Sequence, residues 1–241
     1  MSKISIILPV HNEQDSLSTL HRILHAVCNT FKEPADILFV DDGSTDDTYA
    51  VLTDIRKRDS AVRVIRLESN YGQASALQAG FDHAEGDIIV TLDADLENDP
   101  NDIPMLLGKL EEGYDVVCGR RTERPRGMKR FVSKLGNLVF RLFFDVPVKD
   151  MACTLRVYKR GALDEIVIRG SFHRYLPVLL HMKGASIAEA DVRYTQRKQG
   201  RSKYGVVDRM FSTSADFFEL LFKRRKVLEN IEREYIIKEL W

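Results

Sequence analysis

Asp93 and Asp95 stand one residue apart, directly after the apolar run Ile88-Ile89-Val90 and ahead of the acidic, proline-containing stretch Leu96-Glu97-Asn98-Asp99-Pro100. On extended backbone, side chains two positions apart point the same way, so both carboxylates can face one cation or one diphosphate. Hard oxygen donors at a strand end suit magnesium or manganese, ions that keep water-filled positions for phosphate oxygens to take. A merely solvated acidic loop uses the same residue types, since charged loops are common. Taken alone the pair leaves both readings open.

The elements that must position the pair favour the first. Ile4 to Val10 is a short apolar run closed by Pro9 and Val10, as a buried strand would be. His11-Asn12-Glu13 then opens a helix with apolar positions at Leu17, Leu20, Ile23, Leu24 and Val27. Ile37 to Val40 reads as a second strand, ending at Asp41-Asp42-Gly43-Ser44-Thr45-Asp46-Asp47, a turn and helix start by composition. Val62, Val64 and Ile65 mark a third strand. The helix after Asn70-Tyr71-Gly72 carries small residues at Gly72, Ala76 and Gly80, a spacing that lets it lie close to a sheet or ligand. Strand, loop and helix alternate at short intervals, which predicts an α/β fold with a mostly parallel sheet covered on both faces. In such sheets ligands sit outside the carboxyl ends of the strands, where the first, second and fourth strands all end in polar or acidic loops.

Taken in order and spacing, Pro9-Val10-His11-Asn12-Glu13, Asp41-Asp42-Gly43-Ser44, Asn70-Tyr71-Gly72-Gln73 and Asp93-Ala94-Asp95 resemble the motifs of family 2 glycosyltransferases with the GT-A (Rossmann-like) nucleotide-sugar fold. Gly119-Arg120-Arg121, Lys129 to Asn137, Asp150 to Arg156, and Arg197 with Gly200 to Tyr204 are similar to the polyprenyl-phosphate branch, which includes dolichol-phosphate mannose synthases and undecaprenyl-phosphate sugar transferases. The resemblance covers residues 1 to about 210. It implies one catalytic domain over 1–210, with a nucleotide-sugar half at 1–118 and an acceptor half at 119–210, followed by an amphipathic helical tail at 211–241. It also implies that Pro9, His11 and Glu13 line the base pocket, that Asp41 and Asp42 bond base or ribose, and that Gly72 and Ala94 border the nucleotide. Asp93 is expected on ribose or the metal, Asp95 as metal ligand and catalytic residue, and Glu97 as a further ligand of Mg2+ or Mn2+, or else as a solvated acid.

The acceptor divides the family's chemistries. A hydroxyl acceptor needs a general base, yet the stretch where one would be expected, Gly170 to Pro177, has no carboxylate. A phosphate acceptor is anionic already and needs orientation. Guanidinium forks match phosphate geometry, and Arg120, Arg130, Ser133, Arg156 and Arg197 are the types to hold it, with Arg120 and Arg130 assigned to catalysis as well. The expected activity is therefore inverting transfer of a hexose from GDP-mannose or a UDP-sugar to a polyprenyl phosphate. A soluble transferase acting on a saccharide hydroxyl is the alternative, and a non-catalytic nucleotide-sugar binding module the alternative of another class.

The 241 residues, 44% hydrophobic, suffice for one sizeable α/β core. Lys plus Arg equals Asp plus Glu at 36 each, so no nucleic-acid partner is expected. Acids crowd residues 85–115, and bases crowd 119–134 and 193–203. Three cysteines without a C-x-x-C pair argue against a disulfide framework or a zinc site. No leader is expected ahead of the first strand, and no run reaches the roughly 18 apolar residues of a span. The expected location is cytoplasmic, peripheral on the cytosolic membrane face. Two stretches suit that surface: Leu138 to Phe144, and Met210 to Phe222 with Lys223-Arg224-Arg225-Lys226 behind it. Packing on the core, or on a second subunit through C-terminal helices, explains both equally. Val227 to Trp241, with Leu228, Ile231 and Tyr235 on one face, reads as a docking helix.

Overall fold

A computed structural model describes residues 2–122, 143–195 and 234–241. Strand β1 (Ile4–Val10) is buried along almost its whole length, as a strand flanked by parallel neighbours and covered on both faces must be. It pairs in parallel with β2 (Ala35–Asp41) and with β4 (Ile88–Thr91), and β2 pairs in parallel with β3 (Val62–Leu67). Val10 lies opposite Asp41, and Ile7 opposite Thr91, so the carboxyl ends of β1, β2 and β4 open onto one edge.

Helices α1 (Gln14–Cys28), α2 (Thr48–Arg58), α3 (Gln73–His83) and α4 (Ile103–Glu111) return the chain between strands. Leu17, Leu20, Leu24 and Val27 of α1 are buried at helical spacing, each leucine contributing about 2 kcal/mol of burial energy. Two apolar layers result. Leu17, Leu52, Leu106 and Val117 fill one face of the sheet; Leu38, Ala76, Val116 and Leu179 fill the other. Gly80 shows why the small-residue face of α3 matters: a Cβ there would stand 2.3 Å from Ile7 Cγ2 of β1.

The second half completes the sheet. Strands β5 (Val116–Arg121) and β7 (Ile187–Val192) are parallel to each other, and β6 (Arg156–Lys159) runs antiparallel between β4 and β5. Short helices α5 (Arg160–Leu163) and α6 (Leu176–Met182) follow β6. The sheet of eight strands has the order β7-β5-β6-β4-β1-β2-β3-β8.

Strand β8 (Ile237–Leu240) corrects an expectation. The helix expected through Trp241 is not formed at its end; Ile237–Leu240 instead lies antiparallel on β3, with Ile65 opposite Leu240 and Arg66 opposite Glu239. Without it β3 would present an open ladder of backbone groups, and pairing satisfies them: Val64 N donates to Trp241 O and Trp241 N to Val64 O. Tyr49 O–H adds a 2.6 Å bond to Glu239. The expected tail helix over 211–233 lies outside the described residues. Cys118 and Cys153 are buried and Cys28 partly so, all three as free thiols. Among the described residues, no helix is long and apolar enough to cross a membrane.

Candidate active site

Hydrogen bonds tie the loops at the carboxyl edge into one rim. From the loop after β1, Asn12 N donates to Ser44 Oγ at 3.0 Å, Asn12 Oδ1 accepts from Thr45 N at 2.8 Å, and Glu13 N donates to Thr48 Oγ1 at 2.9 Å. His11 Nδ1 lies 2.8 Å from Asp42 O, and its Nε2 3.0 Å from Asn70 Nδ2. From the loop after β2, Asp42 reaches across to the start of α3, where it accepts from Tyr71 N at 2.7 Å and Gly72 N at 2.9 Å. From α3, Gln73 Nε2 donates to Asp93 Oδ1 at 2.6 Å. Gly43 permits a close approach of two loops: its φ is +61°, and a Cβ would stand 2.4 Å from Ser69 C.

His11, Glu13, Asp41, Asp42, Gly72 and Asp93 are therefore joined in one rim, Pro9 lies next to last on β1 beside it, and Ala94 is buried in the apolar layer with Leu92 and Ile103. Two of them differ in detail from direct nucleotide contacts. Both oxygens of Asp42 accept backbone N–H groups, which hold its carboxyl down against the burial that pushes it up; the balance leaves it above its ordinary value. Asp41 is fully buried, gives Oδ1 to Ser44 N at 3.0 Å, and lies 3.7 Å from Arg66 Nε through Oδ2. Arg66 in turn stacks 4.1 Å over the Tyr49 ring. Both acids brace the rim.

Asp93, half-buried, is pushed up to about 7, first by burial and then by the charges of Asp95 and Glu97. Crowded carboxylates with an all-oxygen donor set fit a hard divalent cation, which would relieve that repulsion. They are not a preassembled trio: among the described residues no three loop carboxylates place ligand oxygens within 4.8 Å of one another. Asp95 Oδ1 accepts Glu97 N at 3.0 Å, and Leu96 between them takes a φ of +61°, which folds the loop back. Glu97 Oε2 accepts the Tyr194 O–H at 3.0 Å, just beyond β7. Glu97 O also accepts Thr195 N at 2.9 Å.

Tyr194 links the acids to the basic half. The Arg121 guanidinium carbon lies 5.3 Å from the Tyr194 ring, and Arg121 Nε and Nη2 fork onto Asp150 at 2.9 Å each. Arg120, one step earlier on β5, points the other way and donates to Asp191 through Nη2 at 2.9 Å on an exposed face. Arg156 also departs from the expected open phosphate contact. It is 3% exposed, and its Nη atoms donate to the main-chain oxygens of Met151, His173 and Arg174. Its charge bears on Asp93 through space. Arg130, Ser133 and Arg197 lie outside the described residues.

The sequence profile of Glycosyl transferase family 2 matches residues 5–167, a span that contains the whole rim and the acid loop. The chain belongs to glycosyl transferase family 2. It is similar to undecaprenyl-phosphate 4-deoxy-4-formamido-L-arabinose transferases of Klebsiella pneumoniae (39% identical over 206 residues, 85% of this chain) and Pseudomonas fluorescens (38% over 203 residues, 83% of this chain). The chain spans 63% and 60% of the length of these curated relatives. Its GT-A fold is that of mannosyl-3-phosphoglycerate synthase from Rubrobacter xylanophilus (TM-score 0.73, 17% identity, 96% of this chain and 77% of that one). Glucosyl-3-phosphoglycerate synthase from Mycobacterium tuberculosis, solved with Mn2+ and uridine diphosphate, gives 0.67 at 19% identity over 94% of this chain and 81% of that one.

Within this family 2 site, sequence reasoning passed over Tyr194 and chose Arg120 ahead of Arg121. Strand parity carries the missing signal. Val117, Gly119 and Arg121 share the face on which a Gly119 Cβ would meet Cys153 and Val192, whereas Arg120 lies on the opposite one.

Proposed function

We propose that the chain transfers a sugar from a nucleotide-sugar donor to a polyprenyl phosphate at the cytosolic face of a membrane. The rim from Pro9 to Ala94 holds the nucleotide, with Asp41 and Asp42 fixing its shape. Asp95 and Asp93, with Glu97 set by Tyr194, would hold Mg2+ or Mn2+. Such a cation would supply positive charge to offset the diphosphate leaving group. Arg121, in place of Arg120, extends the acceptor set of Arg130, Ser133 and Arg197 toward the acid loop, and Arg156, held by the main chain at Met151, His173 and Arg174, adds its positive charge near Asp93. An acceptor phosphate oxygen attacks the anomeric carbon, and the nucleoside diphosphate departs with the electrons of the broken C–O bond. Phosphate is ionised at neutral pH, so no base is required. Reversible contact with anionic lipid through 210–226 serves the membrane step.

The observation that carries this reading is the continuity of the metal-type loop with an arginine through Glu97, Tyr194 and Arg121. The names of the relatives support the lipid-phosphate acceptor, and the uridine diphosphate in one structural neighbour supports a nucleotide-sugar donor. The test is transfer from UDP-glucose, UDP-N-acetylglucosamine, GDP-mannose and UDP-4-deoxy-4-formamido-L-arabinose to a short polyprenyl phosphate and to the matching polyprenol, read by mass spectrometry. A glycosyl phosphodiester formed from the phosphate alone is expected. Glycosylation of the free alcohol instead would move the chain to the hydroxyl-acceptor class.

A further inference from the structure

His21 and His25 sit one turn apart on α1, and Asp59 immediately follows the last turn of α2. Residues four apart on a helix lie one above the other on the same face, so the two imidazoles form a pair before any partner is considered. The partner is a single atom. His21 Nε2 lies 2.8 Å and His25 Nδ1 2.9 Å from the same oxygen, Asp59 Oδ2. One ligand atom from each residue falls within 4.8 Å of the other two.

The surroundings orient the trio. Asp59 Oδ1 accepts Ala61 N at 2.9 Å, which leaves Oδ2 turned to the histidines, as a ligating carboxylate is held by a hydrogen bond from behind. Side-chain exposure rises from 10% at Asp59 through 19% at His21 to 53% at His25, so the site is anchored at its base and open at one side. Both helices start at the rim, α1 after Glu13 and α2 after Asp47. His25 and Asp59 lie toward their other ends, and His21 at the middle of α1.

We propose that His21, His25 and Asp59 form a second divalent-metal site, for a nitrogen-preferring transition ion such as zinc, that staples α1 to the end of α2. Two imidazoles and a carboxylate are a borderline-soft donor set, which selects zinc, nickel or copper and discriminates against magnesium. The acid loop has the opposite, all-oxygen preference. On binding, each ring presents a lone pair in place of an N–H, so the ring protons of neutral His21 and His25 reside on Nδ1 and Nε2 respectively. A water molecule takes the fourth tetrahedral position. The lack of a C-x-x-C pair argues against a thiolate zinc site, whereas this trio draws on imidazoles.

Equilibrium dialysis with zinc chloride, in millimolar magnesium, on the full chain and on the His21→Gln/His25→Gln variant gives the direct test. The wild type is expected to take up one more equivalent than the variant. Zinc at about a hundred times its Kd should raise the thermal midpoint by roughly 5–10 °C in the wild type and not in the variant. His25→Gln alone removes an exposed side chain, leaves folding intact, and should weaken zinc at least about tenfold. Equal zinc uptake by wild type and both variants, or a thermal shift that survives the double substitution, would overturn the assignment.

Discussion

The Tyr194 hydroxyl donates to Glu97 across 3.0 Å while the Tyr194 ring faces Arg121, so one side chain couples the acidic loop after β4 to the basic end of β5. The acid loop and the basic end of β5 meet at that residue.

Tyr194→Phe keeps the ring and deletes the donor. Glu97 then loses a hydrogen bond worth about 1 kcal/mol at a partly exposed position, which corresponds to roughly fivefold weaker metal-dependent nucleotide binding. Calorimetry should show this with little change in thermal midpoint. A large midpoint drop at unchanged affinity would make Tyr194 a folding residue only.

Arg121→Ala and Arg120→Ala should part company. Arg121 forks onto Asp150 at a nearly buried pair, and removing it costs about 3 kcal/mol because a buried carboxylate loses a counter-charge. Arg120 pairs with Asp191 at an exposed one, worth less than about 1 kcal/mol. Urea denaturation of both variants ranks them, and the reverse order would contradict the placement of the two side chains.

Much of the first half was legible because its strands are consecutive and parallel and contain apolar runs such as Ile6 to Val10 and Ile37 to Val40. The second half was not. Strand β6 is four residues, Arg156–Lys159, too short for a periodicity to show, and it enters the sheet antiparallel between β4 and β5. With β5 unassigned, the parity that separates Arg120 from Arg121 had no frame. Tyr194 meets Glu97 across 97 residues of sequence, and Asp59 meets His21 across 38, so neither contact has a local signature. At the C-terminus, Leu228, Ile231 and Tyr235 suggested a helix, but the open ladder of β3 selects a strand at Ile237–Leu240.

Asp115 provides a pH-dependent check on the joint between β5 and β7. The Ser186 backbone N–H and hydroxyl, then Lys159, donate to it and hold its carboxyl below the ordinary 3.8. A depressed carboxylate stabilises the fold above its unfolded value, and the contribution disappears as pH falls below about 3.8 through the folded value. Asp115→Asn should cost roughly 0.5–1 kcal/mol at pH 7, discounted for a site more than a third open to solvent, and progressively less as pH falls below 3.8. A cost that stays constant over that range would mean that the bonds act by shape without charge.

The proposed reaction requires the edge loops to form one metal-dependent nucleotide site, and calorimetry of uridine diphosphate binding tests this most directly. With wild-type chain, manganese should be required, and chelator should abolish binding. Asp95→Asn, which removes a charged ligand while leaving the rim of Asn12, Asp42 and Gln73 intact, should weaken manganese-supported binding at least about tenfold without unfolding the protein. Equal affinity for the nucleotide in wild type and Asp95→Asn, or in the wild type with and without chelator, would contradict the metal site and with it the donor half of the proposed reaction.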